Sequence, residues 1–264
     1  MAFRLDHIVI GVHDLEPAMT SYRALDFKVL EGGQHSTGTT HNALIVFEDG
    51  TYLELLAPTG KNVSSEVKKS DFLSFVHKQE GLSGFALTAN NLETVAESLN
   101  SQGIKTSPVE EGVRTRPDGA RLQWRLLRLE DQPSVFFIED VTDRDLRLSN
   151  DQTAYNHENF VRGIEGLEVL VYGLQDNLEF FNALFGTMPQ VQGNRAVYQL
   201  ENAHITLITA ENDAQRGLLG ERDFVPYNVT LKTQDDNRQR DFPLNQTHGV
   251  RFNQSLQADL EAGS

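Results

Sequence analysis

The chain contains no cysteine, which excludes disulfides, thiolate metal sites and cysteine nucleophiles together. It has no long apolar run, so no segment is expected to span a membrane. The N-terminal stretch Met1-Ala2-Phe3-Arg4-Leu5-Asp6 lacks a basic region followed by an apolar one, so no secretory signal is expected and a cytoplasmic location is the default. Without an export signal, the four Asn-Xaa-Ser/Thr matches beginning at Asn62, Asn228, Asn245 and Asn253 read as chance. Positive charge is scarce: 23 Lys and Arg stand against 38 Asp and Glu, a formal net charge of -15. Such a surplus repels phosphate backbones and anionic lipid, which leaves a small molecule as the expected partner and sets nucleic acid and membrane aside. No nucleophile elbow or dinucleotide fingerprint is present.

What is there begins with two ionisable residues in apolar strands. His7 stands in Leu5-Asp6-His7-Ile8-Val9-Ile10 and Glu54 in Thr51-Tyr52-Leu53-Glu54-Leu55-Leu56. Burying either alone costs several kcal/mol, so each needs a partner, and the two together predict a polar site inside a sheet.

The order of elements around them repeats. A strand at 5–12, a helix from Asp14 to Leu25 capped by Asp14, and strands at 26–34, 42–48 and 51–57 form one βαβββ unit. The same order returns in a strand from Ser83 to Ala89, a helix from Asn91 to Gln102, and strands near 105–115, 121–129 and 134–139. A third copy begins at Leu167 and runs through a helix from Asp176 to Phe185 to strands near 189–200 and 203–210. A fourth is cut short to strands at 227–232 and 249–255. Residues 141–159 are expected to join the halves, and 59–81 to carry a short helix near Ser70 to Lys78. The expected fold is α+β: repeated βαβββ units forming cup-shaped mixed sheets, one complete pair followed by a degenerate second pair. The corresponding domains are 1–141, carrying the site, and 160–264.

The paired units, with Asp-His-Ile in the first strand and Tyr-Leu-Glu-Leu in the fourth, resemble the vicinal oxygen chelate superfamily. The stretch from Gly32-Gly33-Gln34-His35 through Thr40-His41-Asn42 to Phe47-Glu48-Asp49-Gly50-Thr51-Tyr52-Leu53-Glu54-Leu55 is similar to its glyoxalase-like branch, and Arg116-Pro117-Asp118-Gly119 and Trp124 extend the likeness. The resemblance implies a cup around a divalent metal that polarises substrate oxygens, with His7 and Glu54 at the ligand positions of the first unit. In the second unit those positions fall on Gly84 and on Phe136 or Phe137, and in the third on Val169 and Thr206. The second half is therefore expected to be scaffold or a homodimer surface, and every residue contacting a cup ligand is expected within 1–141.

Within the first unit, His35 and His41 flank the mouth of the cup, so either completes a set with His7 and Glu54 or acts as a catalytic base; His7, Glu54 and His35 would suit zinc, iron(II), manganese or nickel. The alternative is a buried His7–Glu54 hydrogen bond with His35 and His41 solvated. Asn42, Tyr52, Arg116, Trp124 and Arg125 are candidates for substrate contact. Arg121, Gln123 and Arg125 share one strand face, opposite Leu122, Trp124 and Leu126. Arg114, Arg116, Arg121 and Arg125 cluster around this hairpin; an outer solvated face is the simpler reading of the alternation, whereas Arg114, Arg121 or Arg125 facing the cup would hold a carboxylate or phosphate of the ligand. Two functions follow: a metal-assisted lyase, isomerase or dioxygenase on a small oxygen-rich metabolite, or a metal-free protein that binds a small molecule or drug.

Overall fold

The computed structural model describes residues 3–60, 71–234 and 240–256. The first two βαβββ units supply β1 (Arg4–Gly11), α1 (Leu15–Ala24), β2 (Leu30–His35), β3 (Thr40–Val46) and β4 (Tyr52–Pro58), then β5 (Gly81–Thr88), α3 (Leu92–Ser101), β6 (Glu110–Thr115), β7 (Arg121–Arg128) and β8 (Val135–Asp140), with α2 (Asp71–Lys78) between them. Their strands close into an eight-stranded barrel in the order β1-β4-β3-β2-β6-β7-β8-β5. Each unit leads with a strand that ends next to its fourth strand, because β1 pairs β4 and β5 pairs β8 in parallel. The units meet at two seams, the long antiparallel β1–β5 pair and a short β2–β6 pair that joins Gln34 to Thr115 and His35 to Arg114.

The helices sit outside the barrel because their apolar faces match the outward faces of the strands. Asp14 caps α1 by accepting from the Glu16 N–H, and Asn91 caps α3 by accepting from the Thr94 N–H. Leu15, Ala18, Met19 and Tyr22 of α1 pack in one core with Ile8, Ile10, Ala43, Ile45 and Leu53. Strict alternation then turns His7, Asn42, Leu44, Tyr52 and Glu54 to the other face, the barrel interior.

Residues beyond β8 form α4 (Arg144–Arg147) and a 3-10 turn (Gln152–Tyr155), and then β9 (Val161–Val171), α5 (Leu174–Phe185), β10 (Gln190–Gln192), β11 (Arg195–Gln199), β12 (His204–Thr209), α6 (Asp213–Leu219), β13 (Phe224–Thr233) and β14 (Arg251–Leu256). The second set of strands is an open six-stranded sheet, β10-β11-β12-β9-β13-β14. It packs on the outside of the barrel: the Asn202 side chain bonds both the N–H and the carbonyl of Leu5, and Lys232 Nζ lies 2.8 Å from Asp49.

Several element limits depart from the sequence expectation. β2 begins at Leu30 because Asp26, with φ of 61°, turns the chain after α1, and the Phe27 N–H bonds the Tyr22 carbonyl. The helix expected to start at Asp176 starts at Leu174 after Gly173, leaving Asp176 in its first turn. The third-unit strand starts at Val161, and α6, which no periodicity marks in the sequence, adds a helix before β13.

Candidate functional site

The barrel interior opens into a cavity of about 1750 Å³. Its floor is a buried polar network that starts with a β-bulge. The pairing of β1 with β5 slips between Leu5 and His7, so Asp6 is the extra residue and comes to lie beside His7 instead of on the opposite face. Asp6 Oδ1 is 2.7 Å from His7 Nδ1, and His7 Nε2 is 3.4 Å from Glu54 Oε2. Glu54 Oε1 accepts from Asn42 Nδ2 at 2.6 Å, and Asn42 Oδ1 accepts from Arg114 Nη1 at 2.9 Å. Arg147 closes the floor from below, donating to both oxygens of Asp6, to Asp140 and to the Tyr52 hydroxyl, and lying over the Tyr52 ring.

Burial alone would neutralise these groups, and their mutual contacts reverse that. Burial pulls His7 down, but its hydrogen bonds and charge contacts with Asp6 and Glu54 raise it above the ordinary imidazole value. Burial would raise Glu54, yet the His7 hydrogen bond, the charges of His7 and His35 and the Asn42 amide hold it at about 2. Asp6 stays well below the usual carboxylate range because the Arg147 charge and the His7 contact outweigh its burial. The floor therefore favours ionised carboxylates, with the charged form of the His7 imidazole stabilised between Asp6 and Glu54.

One wall is set by glycines. A Cβ at Gly32 would overlap the Asn42 amide and the Arg114 guanidinium, and one at Gly112 would overlap the indole of Trp124. The Gly32-Gly33 run is thus part of β2, where Gly32 makes room for the Asn42–Arg114 pair. His35, from the β2–β6 seam, stands edge-on to Trp124 with ring centroids 5.9 Å apart and pairs its Nδ1 with Thr40 Oγ1 at 2.7 Å. Burial lowers its pKa, so it is neutral at neutral pH.

The structure brings His7, Glu54, His35, Asn42, Tyr52 and Trp124 to this cavity. Tyr52 stacks on His7 at 4.4 Å with its hydroxyl taken by Arg147, so it supports the floor. Three expected residues are corrected. His41 is one residue from the inward Asn42 and takes the opposite face of β3, away from the cavity lining. Arg125 lies on the outward face of β7, paired with Glu93 of α3 and with Glu139. Arg116 is held outside the cavity by Asp118 at 2.9 Å and by the Leu146 carbonyl at 3.0 Å. The cavity is not lined by 1–141 alone: Arg147 reaches it from α4, and Leu218, Arg222 and Phe224 of the second half also line it.

The expected metal set of His7, Glu54 and His35 is not assembled. Among the described residues no three His, Asp or Glu side chains are grouped to hold a metal ion. The Glu54 carboxylate stands between the imidazoles, with His7 at Oε2 and His35 4.0 Å from Oε1, and Asn42 already donates to that second oxygen. The wall that would complete coordination has no donors: a side chain at Gly84 would meet the Ser134 carbonyl at 2.7 Å, and the Phe136 ring sits 5.5 Å from His7. As they are placed, the two imidazoles meet opposite oxygens of Glu54 and do not converge on one point, which three protein ligands and a water would need in order to hold a divalent ion.

Comparison with known proteins agrees with this architecture. The family model for the glyoxalase-like domain matches residues 5–185, running past the barrel into β9 and α5. The chain belongs to that family, and thereby to the vicinal oxygen chelate superfamily. A hypothetical protein from Staphylococcus aureus is 16% identical and overlays with a TM-score of 0.76, covering 96% of this chain and 100% of that one. A xylose isomerase-like TIM barrel/4-hydroxyphenylpyruvate dioxygenase fusion protein, 14% identical with a TM-score of 0.54, matches over 89% of this chain and 38% of its own. Methylmalonyl-CoA epimerase in complex with methylmalonyl-CoA and NH4+ overlays on 54% of this chain and 97% of its own, at 22% identity and a TM-score of 0.41. At these identities the likeness concerns the fold. No curated protein matches the chain.

Proposed function

We propose that the chain is a small-molecule-binding protein whose barrel cavity works without a divalent metal. The observation that carries this reading is the engagement of Glu54: one oxygen accepts from Asn42 Nδ2 at 2.6 Å and the other faces His7 Nε2 at 3.4 Å, a contact that favours the charged form of the imidazole. A carboxylate so engaged is a poor ligand and, held at about 2, a poor base. The cavity wall offers what an organic ligand uses. Trp124, Phe136 and Leu126 supply apolar surface, and His35 supplies a neutral imidazole that accepts or donates a hydrogen bond.

A second reading, metal-assisted lyase, isomerase or dioxygenase chemistry, is favoured by one observation. Asp6 fixes the His7 Nδ1 side and leaves Nε2 directed at Glu54, which is how a carboxylate commonly orients a metal-binding histidine.

Metal analysis separates the two. Protein purified without chelator and then supplied with zinc, iron(II), manganese or nickel is expected to retain no stoichiometric ion and to gain no thermal stability from it. About one ion per chain, lost on His7→Ala or Glu54→Ala, would overturn the proposal in favour of the second reading.

A further inference from the structure

Two arginines are buried at the inner end of the barrel, Arg147 at 5% and Arg114 at 3% exposure. Arg147 has Asp6 and Asp140 as counter-charges. Arg114 has no carboxylate partner among the described residues: it holds only neutral acceptors, Asn42 Oδ1 at 2.9 Å and the Arg147 carbonyl at 3.2 Å. Its Nε–H is buried with no acceptor among the described residues. Glu54 acts on it through space but is engaged by Asn42 and His7. A guanidinium stays charged at any working pH, and a buried one without a counter-ion is costly, so an entering anion gains what the fold leaves unmet. Arg114 uses one N–H on each of its two terminal nitrogens, leaving donors of the kind a carboxylate takes in pairs.

The surroundings restrict the rest of the ligand. His35 is the register partner of Arg114 across the β2–β6 seam, which places both on the same inner wall. Trp124 lies against Gly112 on the neighbouring strands, where the missing side chain leaves its indole flush with that wall. The chain as a whole carries a net charge of -15, so anion recognition here comes from this local cation and not from the field of the protein.

We propose that the cavity selects flat or aromatic monoanions, seating a single carboxylate on Arg114 and the ring against Trp124. This rests on the small-molecule reading above and adds the charge of the ligand. Trp124 is the only tryptophan in the chain, so its fluorescence reports on the cavity directly. The probes are phenylacetate against phenylacetamide, 3-phenylpropionate against its amide, and phenyl phosphate, titrated into the full chain. Each carboxylate is expected to perturb Trp124 and to bind at least tenfold more tightly than its amide. Arg114→Gln should reduce that preference to within twofold, while Arg125→Ala, on the outer face, keeps it. Arg114→Lys retains the charge without the paired donors and should weaken carboxylate binding severalfold with amide binding unchanged, which tests the claim even if the glutamine variant does not fold. Amides binding as well as acids, a preference that survives Arg114→Gln, or an unaltered Arg114→Lys would overturn the anion assignment and leave the cavity standing as a small-molecule site. Phenyl phosphate binding more tightly than the carboxylates would overturn the monoanion. If no probe of any charge perturbs Trp124, the cavity reading and this inference fall together.

Discussion

Replacing Glu54 with glutamine removes one charge from the barrel floor while keeping the size of the side chain. The glutamine oxygen still accepts from Asn42, and its amide can face an unprotonated His7 Nε2, so the variant is expected to fold. In the wild type the Glu54 carboxyl is held at about 2 against an ordinary 4.5. That difference of about 2.5 units corresponds to about 3 kcal/mol of stability. Because the folded value is depressed, the contribution is fully present above pH 4.5 and is lost as pH falls from there through about 2. The variant has no such group to titrate. Its acid limb should therefore be shallower by about 3 kcal/mol between pH 5 and pH 2. Urea unfolding followed through Trp124 at steps of pH reads the barrel directly. His7 gives an independent check. Its folded value is raised, so its contribution is complete below 6.5 and is lost as pH rises through the folded value; with Glu54 neutral, NMR titration of the imidazole should show that value moving down. Acid limbs that superimpose in wild type and Glu54→Gln, with an unmoved His7 titration, would refute the ionised floor.

Three further outcomes follow from the same contacts. Gly112→Ala places a methyl group where the Trp124 indole lies, so the ring must shift; a changed emission maximum and a loss of about 1–3 kcal/mol are expected, and an unchanged spectrum would contradict the packing. Arg147→Met removes the buried guanidinium from Asp6, leaving it His7 and Arg144, and should cost about 3–5 kcal/mol, read as a fall in thermal midpoint; a loss below about 1 kcal/mol would mean the floor does not depend on Arg147. His157 accepts from the Lys28 N–H at Nδ1 and donates from Nε2 to the Val46 carbonyl, so only the neutral ring satisfies both, and burial lowers it to about 4. Stability should be complete above 6.5 and fall by about 3 kcal/mol toward pH 4, a slope that His157→Gln removes in urea titrations and whose persistence would reject the assignment.

The fold was legible because its signals are local and recur in the same order. The short apolar runs in 4–11, 40–46 and 52–58, bounded by turn residues, and the Asp14 and Asn91 caps mark elements that barely depend on tertiary context. What escaped depends on that context. Nothing in the local pattern tells that the two units close into a ring, since the seam between β2 and β6 joins only two residue pairs. The Arg- and Asp-rich segment after β8 reads as a linker by composition, yet it plugs the barrel: Leu148 and Ala154 pack on Leu44, Val46 and Tyr52, and Arg147 reaches the floor.

The site shows the same division. His7, Asn42, Tyr52 and Glu54 were found because an ionisable or polar residue among Val, Leu and Ile stands out and because residues two apart share a face. That same parity rule gives Arg125 and His41 their outward positions, since Trp124 and Asn42 face in. Proximity in sequence to an inward residue is therefore evidence against a shared site, unless a bulge intervenes. Asp6 is that exception: parity would send it away from His7, and the slip between β1 and β5 returns it to the floor. Arg114 was a candidate together with its neighbours, and what the sequence did not tell is which of them faces in. It sits among four arginines within twelve residues, of which Arg116, Arg121 and Arg125 face solvent or surface carboxylates. Only the register of β6 against His35 and Leu122 turns Arg114 inward. A cation buried by register and left without a carboxylate is a property of the assembled barrel, and it is the feature of this molecule from which ligand charge can be argued.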